Sequence, residues 1–163
     1  MNSPIDTTPS QRAVITVAPA TQKLIQRWMA HALAGLHMPA STLVEGHIAL
    51  MTLDSKDSAN VDFPATTCTL HWQHEQWVLA SFSSLSLVED NSPPLTEFAF
   101  WFSPPQPVGY RLQWGQMRHE EALLALQAWE AQLVARHDAN TLAVTVTLNV
   151  PYLGEREVHV IPA

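Results

Sequence analysis

From Thr141 to Val150 the chain alternates without a fault. Leu142, Val144, Val146, Leu148 and Val150 fall on one side of an extended backbone, and Thr141, Thr145, Thr147 and Asn149 fall on the other. A strand with one dry and one wet face belongs to a sheet covered on one side only. That condition favours antiparallel pairing over a parallel sheet buried on both faces. Whatever covers the dry side must be supplied by the rest of the chain.

Two segments can supply it. Between about Met117 and His137, Leu123, Leu126, Trp129, Leu133 and Val134 recur at helical spacing. Glu120 and Glu121 stand early and Arg136 and His137 late, the order the helix dipole favours. Pro19 opens a second helix that runs to about Ala34. Its apolar face holds Leu24, Ile25, Trp28, Met29, Ala32 and Leu33, with Gln22, Lys23, Gln26 and Arg27 opposite, and Gly35 and Pro39 stop it.

The remaining apolar runs read as strands. They are Gln11–Ala18, Thr42–Leu53, Thr66–Trp72, Trp77–Phe82 with a continuation to Val88, Leu95–Phe102, Val108–Trp114 and Glu155–Ile161. The four residues between Trp72 and Trp77 suit a tight hairpin. Asp54–Asn60, Glu89–Pro94 and Ser103–Pro107 are loops by their polar or proline-rich composition. The order is that of a single α+β domain over 11–163, a mostly antiparallel sheet of about six to eight strands with two amphipathic helices on one face. Residues 1–10 are expected to form a mobile tail, and at 163 residues there is no room for two comfortable domains.

Charge narrows the function. Lys+Arg number 8 against Asp+Glu 15, a net charge of −7, and direct nucleic-acid binding wants the opposite balance. Charged residues make up 14% of the chain, well below the roughly 25% of an average globular protein, and the lysines are Lys23 and Lys56 alone. A surface finished in Ser, Thr, Gln, Asn and exposed apolar groups tolerates being covered by a partner or by a second copy. One cysteine precludes an intrachain disulfide and suits a cytoplasmic protein. No apolar run reaches the length that spans a bilayer, so no membrane partner is expected.

Candidate chemistry is thin. The chain lacks GxGxxG, P-loop, GxSxG and HExxH patterns. Cys68, His71 and His74 have a spacing from which a zinc site could begin, but on a strand Cys68 and His71 point to opposite faces. Glu155, Glu157 and His159 share one face of the last strand, as a solvated edge does. Ser83, Ser84 and Ser86 read as a polar strand face. His119 with Glu120 and His137 with Asp138 are sequence neighbours and are expected to diverge. No catalytic residue, metal or cofactor is expected from these patterns. The aromatics carry more: Trp28 and Trp129 belong to helix inner faces, whereas Trp77, Trp101, Tyr110 and Trp114 are the candidate partner-binding residues, large amphipathic groups near a wet sheet face.

The stretch from Gly35 through Ser41-Thr42, Pro64 to Trp72 and Leu87-Val88-Glu89-Asp90 is similar to the RsaM-type modulators of bacterial quorum sensing, small α+β proteins that influence acyl-homoserine-lactone signalling. The likeness covers less than half of the chain. At Thr69–Trp72 the sequence has Thr-Leu-His-Trp where that family has a glycine-tryptophan pattern, and the chain is not assigned to it. The expected function is instead a non-enzymatic, cytoplasmic protein-binding module of the adaptor, immunity, secretion-chaperone or regulatory kind, acting by stoichiometric masking of its partner. A small-molecule binder or enzyme with a pocket between sheet and helices is the alternative.

Overall fold

A computed structural model describes residues 15–56, 65–86, 95–102, 108–111, 115–150 and 152–160. It is one antiparallel sheet of eight strands with two helices on one face, an α+β domain. In chain order the elements are α1 (Pro19–Gly35), β1 (Ile48–Ser55), β2 (Ala65–Gln73), β3 (Gln76–Ser86), β4 (Leu95–Trp101), β5 (Val108–Arg111), β6 (Gly115–Gln116), α2 (His119–Asp138), β7 (Leu142–Val150) and β8 (Gly154–Val160). The spatial order is β6-β5-β4-β3-β2-β1-β7-β8.

The alternation in β7 survives intact: Leu142, Val144, Val146, Leu148 and Val150 are buried beneath the helices, and Thr145, Thr147 and Asn149 look outward. Both helices run across the strands. α1 starts over β3, where Gln22 Nε2 donates to the Trp77 carbonyl at 2.9 Å, and ends beside Val158 of β8, 3.3 Å from where a side chain on Gly35 would begin. α2 starts beside β5, where Arg111 Nε donates to Glu121 at 2.9 Å, and passes over β2 and β3. There the Trp129 ring stacks on Phe82 with centroids 4.0 Å apart. Phe82 also contacts Phe98, Phe100 and Phe102, so Trp129 caps a cluster of stacked and tilted rings between sheet and helix.

Three local expectations need correction. Ile15–Ala18 is not a strand: the Ala18 amide donates to the Glu130 carboxylate at 2.9 Å instead of joining a ladder, and residues 11–14 lie outside the described residues, as does the proposed tail. The strand placed at Thr42 begins at Ile48, because Ala40–Thr42 forms a 3-10 turn after Pro39 and Gly46 at φ +87° breaks the extended run. Finally, α1 ends through His37 rather than Gly35, with His37 taking the left-handed position at φ 52°.

The Trp72–Trp77 hairpin is present, with Gln73 opposite Gln76 and His74-Glu75 as its two-residue loop. Both loop residues have positive φ, 50° and 61°, which a type I′ turn requires and glycine or asparagine adopts most easily. The Glu45 carboxylate steadies the loop by accepting the His74 amide at 3.2 Å. Glu75→Gly is therefore expected to stabilise the fold by about 0.5–1 kcal/mol, since a left-handed side chain costs that much or more. Thermal melting should show a rise of a few degrees; a fall would contradict the assignment of strain to this loop.

Candidate docking surface

The pairing register of the sheet brings distant segments into straight cross-strand rows on the face the helices leave open. One row runs Val108, Trp101, Ser81, Thr69, Leu50, Thr147 and Glu157 from β5 to β8. The next runs Gln116, Tyr110, Ala99, Ser83, Thr67, Thr52, Thr145 and His159 from β6 to β8. Beyond the first row, Ile48 stands opposite His71, which stands opposite Val78.

Between β6 and β7 neither of the two long rows contains Asp, Glu, Lys or Arg. At a strand spacing of about 4.8 Å this neutral strip is about 29 Å long, close to the diameter of a standard ~800 Å² recognition patch. Threonine and serine suit it physically. Threonine favours extended backbone, and both stay wettable without bringing a charge that a partner would have to desolvate. The apolar groups exposed along it are Ile48 at 53%, Leu50 at 44%, Trp101 at 48% and Tyr110 at 37%. Trp101 and Tyr110 meet edge to face, centroids 5.1 Å apart, so each limits the rotamers of the other. The carboxylates sit at the far end, where β8 terminates the rows with Glu157 and His159 and Glu155 follows.

Of the four aromatic residues proposed from sequence, Trp101 and Tyr110 lie on this face and Trp114 lies outside the described residues. Trp77 does not belong there: it is 2% exposed and packs under α1 against Trp72 and His47. A bulge explains the displacement. Phe82 and Ser84 are buried, so strict alternation backwards would put Trp77 on the open side. The register shifts between Thr69 and Leu70, Ala80 becomes an extra residue, and Leu79 and Trp77 turn inward. Among the described residues the strand edge at Trp77 has no β4 neighbour, and α1 supplies its partners instead. The Trp77 amide donates to Gln26 Oε1 at 3.2 Å, and its carbonyl accepts from the side-chain amides of Gln22 and Gln26. These glutamines were expected on a solvated helix face.

The weaker chemical candidates stay apart. Cys68 faces the helices at 1% exposure, and burial pushes its thiol up to about 12, so it remains a neutral core group. His71 points to the opposite face and His74 occupies the hairpin loop. Among the described residues no group of three or more His, Cys, Asp or Glu side chains could hold a metal. Ser84 is buried rather than part of a polar face. His137 and Asp138 do meet, contrary to expectation, with Nδ1 and Oδ1 3.2 Å apart in the last turn of α2. Glu157 Oε1 lies 3.6 Å from His159 Nε2, whose ring takes a second contact at Nδ1 from Thr145 Oγ1 at 3.2 Å.

Sequence reasoning missed Glu130, a carboxylate on α2 that is only 8% exposed. It accepts from the Thr21 hydroxyl and from the Ala18 amide, at the start of a helix with no side-chain cap of its own. The signal was available: Glu130 stands four residues after Leu126 and three before Leu133, on the apolar stripe itself.

No protein-family model matches the chain, and no curated protein does. Among solved structures it is similar to the hypothetical protein VC0508 from the Vibrio cholerae VSP-II pathogenicity island, with a TM-score of 0.58 and 14% sequence identity. The match covers 82% of this chain and 99% of that one, and at this identity it speaks for the fold alone.

Proposed function

We propose that the protein works by docking a partner protein on the open face of its sheet, masking it stoichiometrically without chemistry of its own. The observation that carries this reading is the neutral two-row strip with Trp101, Tyr110 and Leu50 exposed along it. Apolar anchors surrounded by uncharged hydroxyls can be desolvated at low cost, whereas a face built only for solvent would carry Lys and Glu at these positions. The net charge of −7 and the Glu155 and Glu157 carboxylates beside the strip suit a partner with a basic surround, which they would steer into contact. The cytoplasm is the compartment in which we place this activity, and adaptor, immunity, chaperone or regulatory roles are all forms of it.

The alternative, a ligand pocket between sheet and helices, has less in its favour. Trp28, Trp77, Phe82, Phe100 and Trp129 are all buried in that layer.

The test is co-purification of the full chain with one defined protein at equal stoichiometry, followed by titration of that pair. Trp101→Ala is expected to weaken binding by about 30-fold, the cost of a central aromatic anchor of roughly 2 kcal/mol. Trp101 is exposed, so the variant should fold normally. A partner that binds Trp101→Ala and Leu50→Asp as tightly as the unaltered protein would remove the reading.

A further inference from the structure

We propose that β8 is a dimer edge: two copies pair β8 with β8, antiparallel about a two-fold axis at Val158, and so join their sheets. Among the described residues β8 is the last strand of the sheet, with a neighbour on one side only. The Lys56 amide donates to the Thr141 carbonyl at 2.8 Å, so alternate residues of β7 from Thr141 to Thr147 bond β1, and those between them bond β8 through Arg156, Val158 and Val160. In an antiparallel strand both backbone groups of a residue point the same way and alternate residues point oppositely. Glu155, Glu157 and His159 therefore present their N–H and C=O groups to the open edge.

Side-chain opposition selects the occupant and the register. A two-fold axis perpendicular to the sheet keeps each residue on its own face, so the axis must pass through one residue position. An axis at Arg156 sets arginine against arginine and Glu155 against Glu157 twice. An axis at Glu157 sets that carboxylate against itself. An axis at Val158 sets valine against valine and places each Glu157 opposite His159 of the second copy, twice, on the open face. In that register the outward-facing backbones of Glu157 and His159 exchange hydrogen bonds directly. Val158 is only partly buried beside α1 and gains an apolar neighbour. A second copy supplies the Glu157–His159 opposition twice, because the strand carries both halves of it.

Light scattering and sedimentation of the full chain at neutral pH test the proposal, and a concentration-dependent dimer below about 100 μM is expected. Glu157→Lys removes the carboxylate acceptor that faces the His159 ring at both ends of the pairing and should weaken the dimer about tenfold, given roughly 0.2–1 kcal/mol for each opposed pair. The double variant Glu157→Lys/His159→Glu restores the opposition in reverse and should recover most of the loss. Circular dichroism of both variants checks that the fold is retained; these side chains are exposed, so it should be. A strict monomer at this concentration overturns the proposal, as does a dimer indifferent to Glu157→Lys, or one that the double variant fails to rescue. The Trp101→Ala variant should leave the dimer untouched, which separates this edge from the docking face.

Discussion

Phe82→Ala is expected to destabilise the protein by about 4 kcal/mol, measured as a fall in the urea midpoint. The residue is 2% exposed, stacks against Trp129 at 4.0 Å and against Phe100 at 5.2 Å, and touches Phe98 and Phe102. Truncation removes the transfer free energy of a phenyl ring and also leaves a void among neighbours that are themselves rigid rings. Such neighbours close a gap poorly, which places the effect toward the upper part of the usual range. A domain of this size is stable by about 5–15 kcal/mol, so the variant should lie near the limit of folding at physiological temperature. Phe82→Leu, which retains most of the volume, should cost about half as much. A loss below about 1 kcal/mol for the alanine variant would mean that the ring cluster is loosely packed and does not organise the layer between helix and sheet.

Glu130→Ala is the second large effect, at about 3 kcal/mol. The carboxylate serves α1 from another helix. It takes the Ala18 amide and the Thr21 hydroxyl, and brings negative charge to the helix end where the backbone dipole is positive. Removing it strands a donor of α1 away from water and leaves a gap beside Leu126 and Leu133. Glu130→Gln keeps an oxygen acceptor but not the charge, and is expected to cost about 1 kcal/mol. The ordering of the two variants is the informative result: equal losses would show that volume alone matters, and no loss in either would remove the capping role altogether.

The fold was legible where a local pattern had a single physical solution. The alternation of Leu142 to Val150 admits only a strand with one buried face, and the α2 stripe with acids early and bases late admits only a helix in that position. Both survive, as does the hairpin between Trp72 and Trp77. Readings failed where a distant element supplied the deciding contact. Ile15–Ala18 ends a β-branched run that composition reads as a strand, but the Ala18 amide is claimed by Glu130, more than a hundred positions away. Gln22 and Gln26 look like solvated helix residues because nothing local reveals that they bond the side of Trp77 turned away from β2.

The docking face was half legible for a related reason. Periodicity places Trp101 on the side of β4 opposite Phe98, Phe100 and Phe102, and this much is local. That Trp101, Ser81, Thr69 and Leu50 stand in one line depends on pairing registers no single segment encodes. Trp77 was misplaced by one residue of bulge, an insertion that composition does not announce and that reverses the side on which every earlier residue of β3 sits.

The strand order has a kinetic side. Every adjacent pair in the sheet is consecutive along the chain except β1 with β7, where Ser55 meets Leu142 across just over half of the chain. β1 to β6 can zip up one short connection at a time, and β7 with β8 forms its own small unit. The entropy of closing a long segment is concentrated in that single seam, which α2 and the start of β7 bridge together. Assembly of this domain is thus a docking of two prefabricated pieces, with the seam two strands in from the β8 edge as the mortise.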